Sequence, residues 1–320
     1  MSKRTDLATA VTISSTYAGE FSGKYISAAL LTASTLDAGA VTIMPNIKFK
    51  QVIQKVETGD LITDGTCDFV ASSSVTLSEV ILQPEEFQVN LQLCKSDFLN
   101  TWDAIQMGYS AYNNNGLPTS FSDYLIGYVA SKVAAQNEIN LWTGNLGGAQ
   151  AGEFDGYETL AAADATVLDV AGAVPLTATN IIDEMQKVVD LIPNTLYGKE
   201  DLTLYISNKA QKLYVRALGG FSVAATSNAG SENKGTQWYD NGNLTFGGVP
   251  CFVARGLSDD SMMAAEKSNL FFGTGLMSDY NEVRTIDQTP ITGSQNVRIL
   301  MRFTAAAQIG VGANVVYYAG

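Results

Sequence analysis

The stretch GLPTSFSDYLIGYVASKVAAQNEINLWTGN, residues 116 to 145, limits what the chain can become more than any other. Pro118 stops what precedes it, Ser120 stands in a capping position, Asp123 follows as a short capping-box acid, and Gly144 closes the run. Leu125, Ile126, Val129, Val133 and Trp142 fall at helical spacing, while Asp123, Lys132, Gln136 and Glu138 lie largely off that stripe. The pattern predicts a helix over 120–143, about 36 Å long at about 1.5 Å per residue. A rod of that length crosses a whole domain, so the fold has to be built along it.

Before this helix the sequence reads as strands. In QPEEFQVNLQLCKSDFL, residues 83 to 99, Phe87, Val89, Leu91 and Leu93 share one side of an extended chain and Gln88, Asn90 and Gln92 the other. The polar side carries amides, which both donate and accept hydrogen bonds, where an open sheet face commonly carries Lys, Glu or Thr. Ser96 then caps a short helical signal with Phe98, Leu99, Trp102 and Ile105. Upstream, VTIMPNIKFKQVIQKVE and CDFVASSSVTLSEVIL are two limbs around a turn marked by Asp64-Gly65, which predicts a projecting hairpin. Residues 1–45 are rich in Ser, Thr, Ala and Gly and read as an extended arm with aromatics at Tyr17, Phe21 and Tyr25.

Beyond the long helix, GGAQAGEFDGYETLAAADA reads as a boundary loop, and a second module follows. TNIIDEMQKVVDLIP predicts a helix stopped before Pro193, LTLYI a strand, and SNKAQKLYVRALGG a helix capped by Ser207. LTFGGVPCFVARGL predicts strand, Gly-Gly turn and strand, and the C-terminal stretches supply more strands. Helices and strands in this order make the class α+β.

Chemistry is constrained by what is missing. The chain has no histidine, which removes the commonest general base, the Ser-His and Cys-His pairs and the commonest transition-metal ligand. Cys67, Cys94 and Cys251 are too few and too scattered for a disulfide framework or a zinc site, so no metal or cofactor is expected. A net charge of −13 argues against wrapping nucleic acid phosphates, and no run approaches the roughly 18 apolar residues of a membrane span. Asp60, Asp64 and Asp68 do not follow the alternation of a calcium loop. Gly310-Val311-Gly312 lacks the third glycine of a dinucleotide fingerprint. Only 16% of residues are charged, against about 25% on average, so something other than water is expected to cover part of the surface.

The order of elements resembles the major capsid protein of tailed double-stranded DNA bacteriophages, in the HK97-like fold. FQVNLQLCKSDFLNTW is similar to the family's strand running into a Ser-opened helix, while LTFGGVPCFVARGL and AAEKSNLFFGTGL resemble successive segments of its axial domain. The resemblance implies an N-terminal arm at 1–45, an extended loop at 46–83, a peripheral domain at 84–160 and 271–320 built on the 120–143 helix, and an axial domain at 161–270. It further implies no enzymatic activity but self-assembly into hexamers and pentamers of an icosahedral head shell. That shell would form in the host bacterial cytoplasm and enclose DNA without reading its sequence, with a portal and separate scaffolding or decoration proteins as partners. The family's cleaved scaffolding region has no counterpart before the arm, so scaffolding is expected to be a separate protein or unnecessary.

Subunit contacts are then expected at Tyr17, Phe21 and Tyr25 of the arm, at Lys48, Lys50, Lys55, Asp60 and Asp64 of the loop, and at Gln88, Asn90 and Gln92. Some members of the family link subunits covalently through a loop lysine, for which Lys48, Lys50 and Lys55 are available. Two other readings stand beside this one: an encapsulin-type nanocompartment shell of the same fold, and, more remotely, a carboxylate-dependent hydrolase or lyase around Asp259 and Asp260.

Overall fold

The computed structural model describes residues 34–47, 49–58, 75–94, 119–148, 152–218, 244–274, 283–288 and 292–320. The chain divides into two compact units. One comprises Met1–Leu30, Asn90–Val129 and Arg284–Ile299, the other Leu31–Val89, Ala130–Val283 and Leu300–Gly320.

In chain order the elements are α1 (Ser34–Asp37), β1 (Thr42–Met44), β2 (Gln51–Thr58), β3 (Val75–Leu82), β4 (Glu85–Cys94) and α2 (Thr119–Thr143). There follow α3 (Tyr157–Ala163), β5 (Leu168–Asp169), α4 (Ile181–Asp190), β6 (Leu202–Ile206), α5 (Asn208–Leu218), β7 (Thr245–Phe246) and β8 (Val249–Val253). The last are β9 (Ser261–Glu266), β10 (Leu270–Thr274), β11 (Val283–Asp287), β12 (Asn296–Ile309) and β13 (Val316–Ala319). The long helix is α2. The short helical signal after Ser96, the hairpin turn at Asp64-Gly65 and nearly all of the 1–45 arm lie outside the described residues.

Strands form a five-stranded sheet, ordered β1-β10-β12-β11 with β4 also paired to β12, a six-stranded sheet ordered β5-β13-β9-β6-β8-β7, and the β2–β3 ribbon. The six-stranded sheet is buried on both faces, because alternate residues of its central strands enter different cores. Tyr205, Met263 and Tyr317 join one cluster with Trp142 and Tyr157; Leu204, Met262 and Tyr318 join another with Met185 and Val188 of α4 and Tyr214 of α5. That two-sided burial explains why LTLYI is an unbroken apolar-rich run. Ser207 caps α5 as expected, its Oγ accepting from Ala210 N at 3.1 Å. The Gly-Gly turn is present, with φ of 55° at Gly247 and 80° at Gly248 as a tight two-residue hairpin requires.

Two expectations are corrected. The segment read as a boundary loop contains helix α3, whose Tyr157 and Ala161 are fully buried and whose Tyr157 ring lies 5.3 Å from that of Trp142. Its Gly and Ala content hides a helix held by tertiary packing. Glu138, assigned to the polar side of α2, is 1% exposed. Its carboxylate accepts from Thr35 N at 3.1 Å and from Thr35 Oγ1, and Trp142 Nε1 donates to that hydroxyl at 3.1 Å. The helix end is therefore buried beyond its apolar stripe, and the covering group is α1, about a hundred residues earlier in the chain.

Candidate assembly surfaces

The ribbon is built from eight consecutive antiparallel pairs, from Gln51 opposite Leu82 to Thr58 opposite Val75. A free two-stranded ribbon is marginal in water, so its root must be fixed. Leu82 is fully buried with Ile47 and Ala306, and Gln308 Nε2 donates to Ile81 O at 3.0 Å. Ile47 N donates to Thr274 O at 3.0 Å, just after Asn46 adopts a left-handed φ of 66°. Gly273 makes the fit possible: a Cβ there would stand 2.8 Å from Leu82 Cδ2 and 3.0 Å from Ile47 Cδ1.

At the root, Val52 and Ile81 are paired across the strands and both exposed. Of the loop residues anticipated as contacts, Lys50 is exposed and Lys55 half-buried. Lys48, Asp60 and Asp64, like Tyr17, Phe21 and Tyr25 of the arm, lie outside the described residues. Phe49, missed in the sequence, is 83% exposed. Its position between two lysines in KFK was the available signal.

In β4 the alternation is realised. Gln88, Asn90 and Gln92 are exposed, and the residues between them half-buried. Phe87 sits 6.0 Å from the Phe154 ring and 5.5 Å from that of Phe303, which fixes the face on which the amides stand. Gln92 Oε1 accepts from Arg298 Nε at 2.9 Å; for Gln88 and Asn90 the face is open in the single chain.

Among the described residues, Asp260, Glu158 and Cys251 are engaged in structure. Asp260 Oδ1 accepts from Lys209 Nζ at 2.6 Å and from Leu176 N at 2.8 Å. Burial alone would raise its carboxyl, but these donors outweigh burial and hold it below its ordinary 3.8. Burial raises the Glu158 carboxyl, against the lowering effect of Ser258, which donates to it through N at 2.7 Å and Oγ at 2.6 Å. Burial pushes the Cys251 thiol up to about 12, leaving no reactive thiolate. Among the described residues no group of three or more Cys, Asp or Glu is placed to hold a metal ion.

The ribbon, the long helix and the two-core α+β body follow the HK97-like capsid fold. Solved structures with this fold match the chain over nearly all its length. The capsid of an empty GTA particle computed with C5 symmetry matches at a TM-score of 0.58, 11% identity and 91% coverage of both chains. A Gordonia phage Cozz chain matches at 0.56 and 12% identity, covering 98% of this chain and 97% of that one. The capsid of the cyanophage P-SCSP1u matches at 0.51 and 10% identity, covering 88% and 86%. No family model and no curated protein matches the sequence.

Proposed function

We propose that the chain is the major capsid protein of a tailed double-stranded DNA bacteriophage, whose copies assemble into hexamers and pentamers of an icosahedral head. The observation that carries this reading is the fold shared end to end with chains from capsids, at 91% coverage in both directions for the GTA particle. The surface supports it. A ribbon whose root is fixed to the body, an exposed Phe49 and an amide face on β4 suit burial against further copies of the same chain.

In this reading residues 1–45 form the arm and 46–83 the extended loop, both clasping neighbours. Residues 84–160 with 271–320 form the peripheral domain, and 161–270 the axial domain around the local symmetry axis. The net charge of −13 leaves packaged DNA free to move along the wall. A portal and separate scaffolding or decoration proteins complete the head, which forms in the host bacterial cytoplasm.

Negative-stain electron microscopy of the purified protein is the test. Closed shells of uniform diameter are expected, and a discrete small oligomer under all conditions would overturn the reading.

A further inference from the structure

A groove of about 200 Å³ opens beside the root of the ribbon, floored by Phe154, Leu160 and Ala307 and flanked by Ile81 and Leu146. Ile81 is 48% exposed and Leu146 54%, so the apolar surface continues outward past the rim. The groove also carries Glu85 and Asp155. Their hydrogen-bond donors here are neutral: Glu85 accepts from Gln83 Nε2 at 3.1 Å and Asp155 from Leu146 N at 2.9 Å. Among the described residues neither has an ion pair. The groove is therefore mixed: its apolar floor, with room for one ring, is bordered by Gln83 and Gln308 and by the acidic Glu85 and Asp155. An apolar cavity of about 150 Å³ is enough to take a benzene molecule.

One segment of the chain has the complementary properties. Phe49 has the highest exposure of the large apolar side chains described, and the next residue, Lys50, is exposed without an ion pair among the described residues. With the ring at 83% exposure, a chain does not place Phe49 in its own groove. We propose that Phe49 of one subunit enters the groove of a second copy, with Lys50 meeting Glu85 and Asp155 there. Knob and socket are different residues on either side of the Gln51–Leu82 pair, so the contact is heterologous and repeats from copy to copy, closing into a ring where the rotation between copies allows it. An aromatic anchor in a pocket with a charged rim is the composition of an interface hot spot. The inference rests on the proposed function in one respect, that copies of the chain assemble.

The test uses the full-length protein carrying Phe49→Cys and Leu146→Cys, assembled and then oxidised. A ladder of covalent oligomers on a non-reducing gel is expected for the double variant, and none for either single variant. Particles without a ladder, or one collapsed into an intramolecular link, would overturn the proposal while leaving shell assembly intact. If the wild type forms no particles, the assembly reading fails and this contact with it. Should the cysteine variants not assemble, charge reversal decides. Lys50→Glu should weaken association roughly fivefold per contact, and adding Glu85→Lys should restore it. Equal loss in the single and the double variant would again overturn the proposal.

Discussion

Glu138 shows how much one residue decides. A carboxylate on the buried end of α2 is tolerated because Thr35 supplies two donors, and in return it ties α1 to the helix. Glu138→Ala leaves the Thr35 amide and hydroxyl without that acceptor. A cost of about 1–3 kcal/mol is expected for a buried group stripped of its partner, read as a lowered Tm in calorimetry, with Glu138→Gln recovering part of it. Asp260 gives a prediction with a sign in pH. Its carboxyl is depressed in the folded chain, so the charged form adds stability that is present above the unfolded value near 3.8 and lost as pH falls through the folded value. Asp260→Asn should lower stability by on the order of 1 kcal/mol at pH 7, since the Lys209 pair is partly exposed. In urea titrations that difference should shrink toward zero as pH is taken below 3.8. A difference unchanged with pH would assign the effect to packing.

Among the described residues, the ribbon's strands pair with each other and with no third strand, and its buried root is the Ile47–Leu82–Ala306 cluster. Deleting residues 52–78 and joining the ends with a short turn should therefore leave circular dichroism and thermal melting near those of the wild type. The same variant should form no normal shells in electron microscopy; normal shells would remove the ribbon from assembly. Gly273→Val tests the root separately. A branched side chain would strike Leu82 and Ile47, and raised protease sensitivity in the ribbon is expected while the rest of the subunit stays folded. What was legible in the sequence follows from the range of the forces. The apolar spacing of α2 and the alternation of β4 are written within about twenty-five residues each, and both elements stand where the pattern put them, although α2 begins at Thr119, so that Ser120 lies inside its first turn and not at its cap. Helix α3, the burial of Glu138 and the parallel pairing of Thr42 with Phe271 depend on partners far along the chain, which no local period records. Phe49 fell between, since its alternation with lysines fitted a strand and only its exposure in the structure makes it a candidate contact.

At the scale of the whole molecule, the opposing terms of assembly differ in range. In the proposed shell each copy carries a net charge of −13, and drawing many copies together is opposed over distances set by the Debye length, about 10 Å at 0.1 M salt and about 3 Å at 1 M. The attractive contacts argued above are apolar or act at a few ångströms, and a ring multiplies them because closing it makes the last contact intramolecular. Raising salt therefore removes more repulsion than attraction, even though it weakens a rim pair such as Lys50 with Glu85. The concentration at which shells appear, followed by light scattering, should fall as salt rises from about 0.05 M to about 0.5 M. Replacing Gln88, Asn90 and Gln92 with Lys would put three like charges on one exposed face. If that face is buried between subunits, the variant should need a higher protein concentration than the wild type at low salt and regain most of the difference at high salt. Assembly unchanged by the triple replacement at every salt concentration would mean that the amide face meets only solvent.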